Sequence, residues 1–398
     1  MNDLSKLVLF SSLPSFISSL EATMILMAIP VIAKEFSITY VSASTLLAFY
    51  VVTEVLLSIP FSLLAERIGV KKVMVIGTAI MGLSSFLIIL SSSFSTILFL
   101  RIFQGMGASM VLLTSLSYVS LVGSDEERGK MIGLNHTIVS LGYVLGLPLG
   151  GMIAEINWKY LFALTSILSF ISLYLLFSLK EIHARSGLGI NVIYSSLIFD
   201  GAILGLYNPL LFSLSFVGMV MAVWKINLGK GFYLTSLSGF LHSVTRNMIA
   251  AFFVFYLYSL HLPALLIGSL VLLYPLSFTF VSFYSGKLHD KYKLKVASLG
   301  FASMALSSLS LFLNVILGEI LLGASSGIAT TSNTAYTMSS VSNKDRIIAS
   351  GMRSVQGVVS NTIGLIIASY FRVSLFPYIE ITVILNLVSL LILGIVNK

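Results

Sequence analysis

Glu21, Glu54, Arg101, Asp200, Arg246 and Arg353 stand inside long apolar runs of the chain. An ionisable group at the centre of a bilayer costs about 2.5–3.5 kcal/mol on insertion scales, so each of these is a functional candidate. A carboxyl's proton affinity depends on its burial and on the charge beside it. A glutamate whose surroundings alternate can therefore take a proton on one side of a membrane and release it on the other. Glu21, midway along the first run, is the expected proton carrier; the bland alternative is a Glu satisfied by helix-to-helix hydrogen bonds. Glu54 has Tyr50 and Ser58 one turn away on either side, a polar stripe facing something other than lipid. It suits a cavity or a structural pair equally. Arg101 is the expected counter-charge, against the alternative of a buried salt bridge that only sets packing. Asp200 joins the proton-coupling candidates, although it lies outside both repeats and local pairing is the favoured reading. Arg246 and Arg353 could bind an anionic group or partner the acids. His242, one turn before Arg246, reads as a neutral hydrogen-bonding group. Tyr50, Gln104, Tyr143, Gln356 and Asn361 are candidate polar linings of a substrate cavity, with Arg246 and Arg353.

The elements that must position these groups are membrane helices. A chain of 398 residues that is 57% hydrophobic and 10% charged, with mean hydropathy +1.02, lacks the charged surface of a soluble domain. Its apolar runs are long enough for helices that cross about 30 Å of hydrocarbon, and they lack the alternation of a membrane barrel. Spans are expected near 8–33, 43–65, 71–91, 95–121, 131–154 and 158–179, then a shorter pair near 190–206 and 209–226. Six more follow near 231–258, 263–284, 294–313, 315–340, 347–371 and 375–396. The first run is too long for a cleaved signal and is expected to be a retained span. With this count, only Lys34, Lys159 and Arg372 among the Lys and Arg residues outside the spans fall on the far side from the N-terminus. That bias puts both termini in the cytoplasm, and membrane topology rather than nucleic acid accounts for the net charge of +8. The chain has no cysteine, which removes disulfides and thiolate metal sites.

Charge also concentrates at two turns. "SLLAERIGVKK" (Ser62–Lys72) returns 224 residues later inside "SGKLHDKYKLK" (Ser285–Lys295), pairing Glu66 with Asp290, Arg67 with Lys291 and Lys71 with Lys295. "ERGKMIGL" (Glu127–Leu134) is echoed by "DRIIASGM" (Asp345–Met352), and "LRIFQGMGA" (Leu100–Ala108) by "LGASSGIAT" (Leu322–Thr330). The expected architecture is an all-α polytopic membrane protein of fourteen spans. Two related six-helix halves, 1–180 and 231–398, flank an inserted two-helix hairpin at 181–230. Related halves with a site between them near the midplane mark alternating-access transporters. Glu66 can engage an Arg67-type partner or the positive end of a neighbouring helix, as a latch between the halves that breaks when access switches, and the acid recurs at Asp290; the alternative is a topology anchor alone. Gly69 frees the backbone of the short turn. Gly142, Gly146 and Gly150 recur every four residues, with Pro148 between them, on a face where another helix can come close. They form either a rocking surface or plain close packing.

These motifs together resemble the major facilitator superfamily and, within it, the fourteen-span drug:proton antiporters. The first turn resembles motif A through Ala65, Arg67, Gly69 and Lys71, with Ser62, Glu66 and Val70 departing from the pattern. "LFLRIFQGMGA" is similar to motif B through Arg101, Gln104, Gly105 and Gly107, and "GYVLGLPLGG" (Gly142–Gly151) to motif C with its proline one place late. "LEATMILMAIP" resembles the first-span motif, with Glu21 where the family has Asp; "NWKYLF" and "SGMRSVQGVVSNTIG" fit as well. The resemblance implies a gating role for Glu66, Arg67, Gly69, Lys71, Asp290, Lys291 and the motif C residues, and places Arg101 in a proton relay. It implies proton-coupled export of hydrophobic or amphipathic molecules from a multi-pass position in the cell membrane. The rival within the family is a carrier for a specific metabolite or organic anion. The only loop cluster of carboxylates, "SDEER" (Ser124–Arg128), resembles the family's ordinary loop between spans four and five, and there is no Walker A pattern, so an enzyme and an ATP-driven pump are not expected, nor is a cofactor or metal. The expected partners are a small-molecule substrate, protons and membrane lipid, with the protein a monomer.

Overall fold

The computed structural model describes residues 3–124, 126–184, 217–218, 228–261, 264–371 and 374–396. The expected hairpin spans at 190–206 and 209–226, and Asp200 with them, lie outside the described residues apart from 217–218. Among the described residues every long element is a helix. In order these are α1 (Asp3–Glu35), α2 (Tyr40–Ile68), α3 (Val70–Leu90), α4 (Phe94–Val122), α5 (Arg128–Asn157), α6 (Lys159–Leu176) and α7 (Lys230–Ser259). After these come α8 (Ala264–Val271), α9 (Leu273–Tyr292), α10 (Leu294–Leu309), α11 (Val315–Ser339), α12 (Arg346–Phe371) and α13 (Leu375–Val396). Helices are the form in which an apolar chain satisfies its own backbone in lipid. Leu83, Leu87, Leu90, Leu306 and Leu391 remain exposed on the outside of the protein, a surface suited to lipid rather than water. The protein is a multi-pass membrane protein.

Local chemistry sets the element boundaries. Thr39 Oγ1 accepts from Ser42 N at 3.1 Å and Asn314 Oδ1 from Leu317 N at 3.1 Å, capping α2 and α11. The stretch 263–284 was expected as one helix, but α8 stops at Val271 and α9 begins at Leu273. Pro275 has no N–H, and its ring crowds the carbonyl four residues back, that of Val271, so the ladder breaks there. The same helix also outruns the expectation at its other end. The charged residues 287–291 continue α9 to Tyr292 rather than forming a loop, because a helix end in water tolerates charge. What remains of each charged turn is one residue at positive φ: Gly69 at 109° between α2 and α3, and Lys293 at 47° between α9 and α10.

Two compact units emerge. The first comprises Met1–Leu121, Leu145–Leu228 and Ser342–Val355; the second comprises Val122–Val144, Gly229–Val341 and Gln356–Lys398. In the first, Leu20, Met24, Leu46, Leu100, Trp158 and Phe162 form the main core cluster. In the second, Met248, Phe252, Tyr274, Leu322 and Tyr378 do so. Glycines bring helices close where no Cβ could fit: Gly107 of α4 lies against Gly77 and Met81 of α3, and Gly300 of α10 against Ala329 of α11.

Candidate functional site

The first unit buries a closed polar network at the meeting of α1, α2, α3 and α4. Arg101 is fully buried, and its Nη1 donates to Glu21 Oε1 and, at 2.8 Å, to Gln104 Oε1. Its Nε donates to the Leu46 carbonyl at 3.0 Å. Gln104 Nε2 passes the chain on to Ser85 Oγ at 2.7 Å. The guanidinium carbon lies 4.5 Å from the Tyr50 ring centroid, and the Tyr50 hydroxyl meets Ser18 Oγ at 2.8 Å. Motif B spacing explains this: Arg101 and Gln104 are one turn apart, so both side chains leave α4 on one face. Gly105 beside them lets α4 press against the backbone of Tyr50.

This network is incomplete in a chemically specific way. Glu21 Oε2 and Arg101 Nη2 are buried with no hydrogen-bond partner. A buried pair repays its desolvation only when the remaining lone pairs and protons are satisfied. The open Oε2 is therefore a place where a proton or a cationic donor gains most. Tyr50 and Gln104, expected to line a cavity, are instead fully buried members of the ion-pair network. Residue type alone could not say that Arg101 fills the space in front of them. Glu54 is half-buried, and Ser58 Oγ donates to its backbone carbonyl at 2.7 Å while meeting Ser109 Oγ at 3.1 Å.

Glycines of α5 hold α1 close on both sides of Glu21. A Cβ on Gly146 would collide with Thr23 and the Leu20 carbonyl, and one on Gly150 with the Met24 backbone. Gly142 is buried and Pro148 is exposed.

The expected gating residues separate into distinct contacts. Asp290 sits on the start of α5, its Oδ1 accepting from Gly129 N at 2.7 Å and its Oδ2 from Lys130 N at 2.8 Å. This is a carboxylate on the positive end of a helix dipole. Arg128 Nη1 donates to Ser339 Oγ at 3.2 Å, and its repeat counterpart Arg346 donates through Nη1 to the Ser120 carbonyl at 2.8 Å. Glu66 is buried, while Arg67 and Lys291 are exposed. Lys71 serves the segment after α6: its Nζ donates to the Phe177 and Leu179 carbonyls at 2.9 and 2.6 Å. Glu181, which nothing in the local pattern singled out, caps α3 by accepting from the backbone N–H groups of Lys71 and Lys72 at 2.9 and 3.1 Å.

In the second unit, Arg246 and Arg353 are half-buried and Gln356 Nε2 donates to the Ser236 carbonyl at 2.6 Å. Tyr143 and Asn361 are exposed. His242 is buried between Asn386 Oδ1 at 2.9 Å and Ser326 Oγ at 3.1 Å. Asn386 Nδ2 must face the Thr382 carbonyl at 2.9 Å, so its oxygen accepts from His242 Nδ1–H, and both ring nitrogens of His242 have a polar partner. Glu319 of α11 is fully buried and was missed: it stands close to the end of its apolar run, where an acid reads as interfacial. The signal that could have found it is its place one turn before Gly323, the repeat partner of Arg101. A cleft of about 670 Å³ lies among the ends of α1, α2 and α5, lined by Pro30, Lys34, Ser37, Tyr40, Ala154 and Glu155; it does not reach the Glu21 network.

Comparison with known proteins is consistent across the chain. The family model for the Major Facilitator Superfamily matches residues 12–234 and 235–397. Over 161 residues the chain is 30% identical to the riboflavin transporter RibZ of Clostridioides difficile (strain 630), covering 40% of this chain and 35% of RibZ. Over 160 residues it is 27% identical to the quinolone resistance protein NorA of Staphylococcus aureus (strain MRSA252), covering 39% of this chain and 41% of NorA. The chain thus spans well under two thirds of the length of either relative. Among solved structures, the human organic anion transporter MFSD10 superposes with a TM-score of 0.77 at 15% identity, over 99% of this chain and 100% of that one. The proton:xylose symporter XylE superposes with a TM-score of 0.75 at 14% identity, over 98% and 94%.

Proposed function

The chain belongs to the Major Facilitator Superfamily, and from that premise we propose that it exports hydrophobic or amphipathic cations in exchange for protons by alternating access. It is a transporter and not an enzyme. The observation that carries the reading is the buried Glu21–Arg101 pair with one carboxyl oxygen left open. A proton arriving at Oε2 neutralises Glu21 and loosens its hold on Arg101. A cationic substrate reaching the same carboxyl competes with that proton, so the two occupy the site in turn. Exclusion of one by the other is what couples two fluxes. The α5 glycines packed on α1 allow the Glu21 segment to move against α5 when the charge changes. Asp290 on the α5 N-terminus, and Glu66 in the corresponding turn, are the contacts that hold one access state. The cytoplasmic placement of both termini follows from the basic bias of the loops, and likeness to NorA, a protein named for quinolone resistance, supports the drug-export reading. The fourteen-span arrangement, the monomeric state and a cell-membrane location complete the proposal.

The test is export in liposomes holding purified protein and a pH-sensitive dye. With ethidium as substrate, the wild type moves protons against the cation and Glu21→Gln does not. If neither protein couples ethidium to protons, the exchange reading falls. The second reading, a carrier for a specific metabolite or organic anion, draws on Arg246 and Arg353 and on a relative named a riboflavin transporter. Riboflavin uptake into the same liposomes would favour it.

A further inference from the structure

The two halves carry the same three side-chain types on a common scaffold, with the charges exchanged. In the N-terminal half the acid Glu21 is on α1, Tyr50 on α2 and Arg101 on α4. Moving on by 224 residues, the offset of the charged turns, Tyr50 falls on Tyr274 and Glu21 falls beside Arg246. Arg101 corresponds to Gly323, and Glu319 stands one turn before it on α11. The second half therefore presents Arg246, Tyr274 and Glu319 from α7, α9 and α11, with the cation on its first helix and the acid on its fourth.

The two trios differ in state. Glu21 and Arg101 are bonded, with Tyr50 stacked on the guanidinium. Glu319 is fully buried with neither carboxyl oxygen meeting a donor, and Tyr274 is buried with Ser326 beside its hydroxyl. Tyr274 lies within electrostatic reach of both Glu319 and Arg246, yet no ion pair joins the two among the described residues. Burying an ionised carboxylate with no donor and no counter-charge costs far more than burying the acid, so in this state Glu319 holds a proton.

The groups around Glu319 are few. α7 carries His242, bonded to Asn386 and Ser326, then Arg246 and Tyr256, and α9 carries Tyr274, which feels both Glu319 and Arg246. α10 carries only Lys295, at its opposite end, and the turn at Ser310–Phe312 carries no titratable group. Tyr378 of α13 donates to the Ala368 carbonyl at 2.8 Å. Arg246 is the permanent cation that shares Tyr274 with Glu319.

From this geometry we infer that Glu319 is a second proton-binding site of the transport cycle, giving up its proton when it pairs with Arg246 across Tyr274. The inference rests on the proton-coupled reading for its place in the cycle, but not for its existence as a titrating site. Each turnover then exchanges one more proton than Glu21 alone supplies. The cycle opens the Glu21–Arg101 pair in one half and closes the Glu319–Arg246 pair in the other.

Infrared titration of the carboxylic-acid C=O band in the purified protein, reconstituted in lipid without substrate, tests the site directly. The expected result is a titrating band that Glu319→Gln removes, that Glu21→Gln leaves in place and whose midpoint Arg246→Gln shifts. A band lost in Glu319→Gln that never titrated, or a spectrum unchanged by that substitution, overturns the inference. In ethidium-driven liposomes, Glu319→Gln lowers the protons exchanged per cation relative to wild type; an unchanged ratio overturns its role in the cycle. If no protein couples ethidium to protons while the Glu319 band still titrates, the export reading fails and the proton site stands.

Discussion

Glu21 and Glu319 are both fully buried glutamates, one in each compact unit, and they are handled in opposite ways. Glu21 has Arg101 against one oxygen and a tyrosine behind the guanidinium; Glu319 has no donor at all. The difference teaches that a buried acid is kept either by an ion pair or by a proton, and that one sequence repeat can use both. Removing half of an ion pair is the costly operation, because it strands the other charge.

Arg101→Ala is therefore the most damaging change available in this comparison. It leaves Glu21 buried without its cation and deprives Gln104 and Tyr50 of their partner, for an expected loss of about 3–5 kcal/mol. Thermal unfolding in detergent should show a large drop in Tm. Glu319→Gln, which removes no bond, should leave Tm close to wild type. Equal losses for the two would erase the contrast between a paired and an unpaired acid.

Asp290→Ala comes next. It removes two charge-assisted acceptors from the start of α5, and a hydrogen bond to a charged group is worth about 1.5–3 kcal/mol. Proteolysis at the N-terminal end of α5 should accelerate, and Asp290→Asn should recover part of the protection by keeping an acceptor oxygen. The smallest effect expected comes from the turns. Gly69 and Lys293 occupy equivalent positions at positive φ, but only one of them is glycine. Lys293→Gly should stabilise by up to about 1 kcal/mol, a small upward shift in Tm, because it relieves the left-handed strain of a residue with a Cβ.

Much of this fold was legible from apolar runs. The last span was expected at 375–396 and α13 occupies those residues, because a strong apolar run ends there in polar groups. Charged residues misled where they continued a helix into water, as at 287–291 of α9. A proline whose effect falls four residues upstream hid the break before Leu273. At the site, residue types were legible and facing was not. Glu21 and Arg101 were paired from their positions in the spans, yet Tyr50 and Gln104 were assigned to a cavity because nothing local says which groups Arg101 collects. Glu319 escaped because its distinction is an absence of partners, which exists only once the helices are packed. Glu181 escaped because its partners lie more than a hundred residues away.

The most direct measurement is proton release on ethidium binding to the detergent-solubilised protein in weakly buffered solution, with no membrane and no gradient. If cation and proton compete for the open oxygen of Glu21, the wild type releases protons as ethidium binds and Glu21→Gln does not. Ethidium binding that releases no proton from the wild type, or equal release from Glu21→Gln, would contradict the account.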